Sequence, residues 1–308
     1  MNSSLLYLYN NIQRVFLCIL ILFAFACSKQ MTSAISVSPK HFKVQTPFML
    51  DGRGIIINTY WGSEKKHYVL CIDNYSPSWI KSSVIQYNQS FIKSRDVSFK
   101  TSTADGLPIQ GDVGICDTLS FENIIFRNVP FYVMPYNPND NKNDDGVLGI
   151  EVMSKGIWKF DFRNNELSFA SDIDSFNEIN QSEIFPATFN EQSIAVEVNF
   201  GNDNVKRMPV DLGFNGDLLM PLNEFKSISK SSQTFANVGR FKTPTQQTLV
   251  NTLSVFDTVN IGHNFFGTFV SSNETVKERL IGLAFFRRFD YVIFDFINKR
   301  IYIPKKAW

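Results

Sequence analysis

The two halves of this chain carry the same landmarks in the same order, and that repetition limits what it can fold into more than any other feature. "NTYWGSEKKHYVLCID", ending on Asp73, matches "EVNFGNDNVKRMPVD", ending on Asp211: a strand, a glycine turn, a strand and an aspartate. "CDTLSFENIIFRNVPF" then matches "FDTVNIGHNFFGTF", each an Asp-Thr pair followed by a hairpin. "GVLGIEVMSKG" matches "RLIGLAFFRRF", two hydrophobes and a glycine that lead into a short helix. The closing hairpins "FDFRNNELSF" and "FDFINKRIYI" complete the series. One such match can arise by chance. Four in register, at nearly constant spacing, imply duplication, and so two similar lobes.

The repeated unit is β. Helical periodicity is scarce, and short runs rich in β-branched and aromatic residues alternate with Gly, Asn, Asp and Pro turns such as "ADGLP". The sequence therefore predicts an all-β protein of two duplicated lobes with a cleft between them. The divisions fall at residues 1–26, a signal peptide; 27–40, a polar tether; 41–170, the first lobe; 171–187, a connector; and 188–308, the second lobe. Thirty phenylalanines point to a substantial aromatic core. A net charge of +1 without any basic block excludes nucleic acid as the main partner.

The N-terminus reads as an export signal. Arg14 precedes the uninterrupted apolar run Val15–Ala26, too short for a comfortable membrane span and right for a signal-peptide core. It ends "AFAC", with small residues at Ala24 and Ala26 before Cys27. This resembles a bacterial lipobox, in which the cysteine after the cut carries lipid. The resemblance implies an exported protein held to the membrane through Cys27, in the periplasm or outer membrane of a bacterial envelope, and a monomer is expected. The alternative is a plain secretory signal with an incidental cysteine. Cys71 and Cys116 remain in the mature chain. An exported pair can bridge. Their counterparts in the second half, Pro209 and Phe256, are apolar, which favours two buried thiols.

A β lobe with an aspartate-turn, a flap hairpin and a hydrophobic-hydrophobic-Gly element resembles the aspartic peptidases. Two copies in one chain resemble the bilobal, pepsin-like arrangement. The closing "GLAFFRRFDYVIFDFINKRIYI" is similar to retropepsin-like aspartyl peptidases of Bacteroidetes-type bacteria. The resemblance covers nearly all of residues 41–308. It implies that Asp73 and Asp211 form a dyad sharing one proton, one carboxylate acting as general base on a water and the other as acid toward the peptide carbonyl. It implies no metal and no cofactor, and a peptide or protein as the cleft's partner.

The triplets depart from the family's Asp-Thr/Ser-Gly. The second lobe has Asp211-Leu212-Gly213, keeping glycine and losing the hydroxyl. The first has Asp73-Asn74-Tyr75, keeping neither, although Asn74 can still hydrogen-bond across. If the third site needs positive φ, Tyr75 is strained there. The first flap falls on "FKTSTADGLPIQG", turning near Asp105-Gly106, and carries no tyrosine. On these departures, restoring catalysis is expected to need Tyr75→Gly together with Asn74→Thr and Leu212→Thr. Three readings stay open: a working endopeptidase, a degenerate relative that binds peptide without cutting it, and a structural envelope lipoprotein. Other chemistries lack their residues. His41, His67 and His263 have no metal spacing, and there is no Ser nucleophile elbow, phosphate loop or Cys-x-x-Cys.

Overall fold

The computed structural model describes residues 35–305, apart from 52–53, 86–90, 103–107, 135–143, 191–192, 202–203, 229–233, 243–246 and 275. The signal, Cys27 and the flap turn near Asp105 lie outside the described residues. The β-rich runs form strands whose burial follows the side-chain period of two. Ile55–Trp61 ends in strict alternation, and Ile194–Asn199 repeats the pattern at the matched position.

In each lobe six strands close on themselves. The first ring runs Ile124–Met134, Trp79–Lys81, Gly146–Leu148, Lys66–Ile72, Ile55–Trp61 and Pro108–Phe121, which pairs back to Ile124–Met134. The second runs Ile194–Asn199, Val205–Asp211, Leu280–Gly282, Leu218–Leu219, Asn264–Ser272 and Gln247–Ile261, which meets Ile194–Asn199 again at Asn199↔Asn260. Closure gives each ring strand a neighbour on both sides over at least part of its length. A long strand extends each ring as a hairpin, Phe91–Ser102 in the first lobe and Thr234–Lys242 in the second.

Register repeats along with order. The parallel pair Ile72↔Leu148 has its counterpart in Val210↔Ile281. Each aspartate therefore leaves the carboxyl end of an equivalent strand, beside an equivalent short parallel neighbour. The all-β bilobal architecture expected from the repeat is the one observed.

A third sheet ties the lobes together. Its order is Ser182–Phe185, Arg300–Pro304, Tyr291–Asp295, Ile157–Asp161, Glu166–Ala170 and Lys43–Pro47. The two closing hairpins meet at its centre, where Ile157–Asp161 runs antiparallel to Tyr291–Asp295. Two boundaries drawn from polar composition move as a result. Ser36–Ser38 is not tether; it pairs with Ile124–Met134, with Ile35 buried beside it. The connector is not a plain linker, because its Ser182–Phe185 is the edge strand of this shared sheet. In both places a short alternating apolar residue outweighs polar neighbours once a sheet edge is available.

Trp61, Trp158 and many of the phenylalanines, among them Phe126, Phe160, Phe169, Phe285 and Phe294, belong to one continuous core spanning both lobes and the shared sheet. Trp158 is its best-defined member. It is fully buried, stacks on Phe169 at 4.1 Å between centroids, and donates from Nε1 to the Met153 carbonyl at 2.8 Å. Cys71 and Cys116 are both buried, with no disulfide between them. Trp158→Ala removes a large buried ring and leaves the Met153 carbonyl only the longer bond from Gly156 N at 3.4 Å. It is expected to cost about 3–5 kcal/mol of stability, measured as a lowered urea midpoint at unchanged far-UV dichroism.

Candidate active site

The loops that follow the two equivalent strands bring Asp73 and Asp211 together where the lobes meet. Each carboxylate sits in the same cradle, built from the backbone N–H groups two and three residues on. Asp73 Oδ1 accepts from Tyr75 N at 2.9 Å and Ser76 N at 3.1 Å. Asp211 Oδ1 accepts from Gly213 N at 2.8 Å and Phe214 N at 3.0 Å. A side-chain hydrogen bond joins the two carboxyls to each other. Burial first, and the Asp73 charge second, push the Asp211 carboxyl well above the ordinary carboxylate range, against the lowering effect of its two N–H donors. A shift in this direction is the one that two like carboxyls sharing a proton would show.

Gly213 is required by crowding. Any Cβ there would lie 2.4 Å from Asp73 Oδ2 and 3.1 Å from Asp211 Oδ1. Its φ is not positive, and neither is that of Tyr75. The expected backbone strain at Tyr75 is therefore absent: the turn is reached with an ordinary φ, and the side chain points into the second lobe, where its hydroxyl meets Glu278. Behind each loop a glycine permits close approach. A Cβ on Gly149 would meet the Ser76 carbonyl at 2.4 Å, and one on Gly282 the Phe214 carbonyl at 2.4 Å. The next N–H in each case bonds that carbonyl, Ile150 N to Ser76 O at 3.0 Å and Leu283 N to Phe214 O at 2.7 Å.

Asn74 joins the two loops. It is fully buried, donates from Nδ2 to the Val210 carbonyl at 3.0 Å, and accepts at Oδ1 from Leu212 N at 2.9 Å. One amide offers both a donor and an acceptor, so a single side chain makes a two-way link across the lobes. Leu212, at the matched position, is fully buried and adds only apolar packing.

Two contributors carry little signal in the sequence. Glu151 accepts at Oε2 from Ser78 N at 3.0 Å and Ser78 Oγ at 3.2 Å, while Ser78 Oγ accepts from Gly149 N at 2.9 Å. It pins the Asp73 loop to the turn behind it. Burial first, and the Asp73 charge among lesser causes, raise its carboxyl. Its one sequence signal is a carboxylate in an apolar element, "GIEVM", where the repeat has Ala284. The second is Glu278, in a stretch without a matched landmark. With Tyr75, Pro209 and Arg207 it lines a cavity of about 440 Å³ to which neither aspartate contributes a wall. The histidines take no part: His67 bonds Asn58 at 2.7 Å on the surface. Among the described residues no three His, Cys, Asp or Glu side chains gather as metal ligands.

The fold is similar to that of the aspartic proteinase from Irpex lacteus, whose crystal structure superposes with a TM-score of 0.60 at 15% sequence identity, covering 86% of this chain and 98% of that one. At this identity the likeness is one of fold. No model of a known protein family matches the sequence, and no curated protein does.

Two outcomes test this geometry. Asn74→Ala leaves Val210 O and Leu212 N without partners in a buried site. It is expected to cost about 2–4 kcal/mol, read as a loss in urea-unfolding free energy. The second concerns pH. The folded Asp211 value lies above the unfolded one, so the stability it contributes is fully present below about pH 4 and is lost as pH rises through the raised folded value. The stability gap between wild type and Asp211→Asn should therefore favour wild type more at acid pH than at neutral pH, in paired unfolding curves.

Proposed function

We propose that this chain is an aspartic-type endopeptidase that binds an extended peptide between its lobes and hydrolyses it with Asp73 and Asp211. The observation that carries the reading is the hydrogen bond between two carboxyls in matching N–H cradles, with one of them raised. At acid pH the pair holds one proton. The ionised carboxylate removes a proton from a water placed between the two, and that oxygen attacks the peptide carbonyl carbon. The protonated carboxyl donates to the carbonyl oxygen. Collapse of the tetrahedral intermediate breaks the C–N bond as the leaving nitrogen takes a proton from the dyad.

One observation favours a second reading, binding without cutting: Leu212 brings no hydroxyl to the link between the loops, which rests on Asn74. The experiment that separates the two is hydrolysis of a mixed peptide library. Cleavage is expected at acid pH, to fall as pH rises through the dyad's upper pKa, to be blocked by a statine-type inhibitor, and to drop at least a thousandfold in Asp73→Asn and Asp211→Asn, on the order expected for loss of an essential catalytic group. A folded wild type that binds the inhibitor and never cleaves supports the binding reading.

The reading also places the protein outside the cytoplasm, lipid-anchored in a bacterial envelope. Its support is the apolar run Val15–Ala26 followed by Cys27 in "AFAC". Growth with a clickable fatty acid is expected to label the wild type and leave Cys27→Ser unlabelled. Equal labelling of both would refute the anchor.

A further inference from the structure

Asn74 attaches the two aspartate loops through one side chain. Two bonds to one amide fix the loops at one point, and the shared sheet binds the lobes at a distance from it. A further contact beside the carboxyls would fix their separation locally.

The residue that fits the family pattern least supplies such a contact. Tyr75 is bound to the first carboxylate, its N–H donating to Asp73 Oδ1 at 2.9 Å. Its ring crosses to the second lobe, where it packs beside Phe214 on Leu219, Val276 and Leu280. Its hydroxyl donates to Glu278 Oε2 at 3.0 Å, between residues 203 positions apart. Burial, and then the Glu278 charge, push the phenol up to about 12, so it remains a donor across the range in which the aspartates titrate. The second lobe has Gly213 at the matched position, where no side chain fits, so nothing returns the contact.

We propose that Tyr75 and Glu278 form a second interlobe brace that sets the separation of Asp73 and Asp211, in place of the cross-loop hydroxyl that Leu212 lacks. Both are positioning residues: Tyr75 acts through the Asp73 cradle and Glu278 acts through Tyr75. The inference rests on the dyad reading of the two aspartates and not on whether the pair turns over peptide.

The test follows the aspartate carboxyls directly, so it needs no substrate. The full chain is labelled with aspartate carrying carbon-13 at Cγ and titrated by NMR. Wild type is expected to show one carboxyl, absent in Asp211→Asn, with a midpoint well above the ordinary range. Tyr75→Phe keeps the ring packing and removes the hydroxyl. Glu278→Ala, at an exposed position, removes the acceptor. Each is expected to lower that midpoint by about one pH unit, a tenfold change in proton affinity. Because the two act through one bond, the double variant should move it no further than either single one. Glu278→Gln keeps a neutral acceptor for the phenol and should move it less than half as far. Unfolding curves establish that each variant is folded. A folded Tyr75→Phe with an unmoved midpoint overturns the brace, as does a double variant that shifts by the sum of the two. If wild type itself has no raised aspartate, the dyad reading fails, and the brace with it.

Discussion

The hydrogen bond between Asp73 and Asp211 joins two groups that repel each other when both are ionised. In a partly buried site that repulsion is weakly screened, so two such groups stay in contact where a proton is kept between them and the surroundings hold them there. Much of the central architecture serves the holding. The matched parallel strands deliver each aspartate at the same height, and two N–H donors fix one oxygen of each carboxylate. Gly213 leaves room for the facing carboxyl, and the shared sheet binds the lobes at a distance. The N–H donors lower the Asp211 value while burial and Asp73 raise it more. The balance favours the protonated form of Asp211.

Duplication makes most of this legible in the amino-acid sequence. A repeat predicts a symmetric pairing, and the pairing assigns Asp73 to Asp211 although each alone reads as a strand-end turn residue. Gly213 is legible for a partly mistaken reason: it is needed for room beside two carboxylates and not for a left-handed backbone. The all-β class follows from alternation and turn residues. The ends of the elements do not, since Ser36–Ser38 and Ser182–Phe185 are strands because an edge is waiting for them, which no local pattern encodes.

Most of what breaks the repeat stays hidden, although the Asn74 amide is legible as a group able to hydrogen-bond across. A pattern matched between halves is silent about residues present in only one of them, and the unmatched residues do much of the bracing here. Asn74 has no polar counterpart at Leu212, Glu151 none at Ala284, and Tyr75 none at Gly213. Each reaches outside its own strand and loop, and two of the three cross to the other lobe. Their partners, Val210 O, Leu212 N and Glu278, are far along the chain. Sequence spacing carries no information about such contacts until the fold has closed.

The asymmetry also changes how a missing motif should be read. In a symmetric pair of Asp-Thr-Gly loops each hydroxyl links to the opposite loop, and the glycines keep the centre clear. Here one amide makes a two-way link from one side, which releases position 212 to become core. Clearance is needed only at Gly213, because the facing residue turns its side chain away into the second lobe. Position 75 can then hold a large side chain without positive φ, and once that side chain packs across the interface its removal costs contacts that a glycine never made. Each departure is tolerated because of another. A single substitution such as glycine at 75 would therefore take away a support while Asn74 and Leu212 stay as they are. The unit on which the physics acts is the pair of loops, and a triplet read alone understates what its partner supplies.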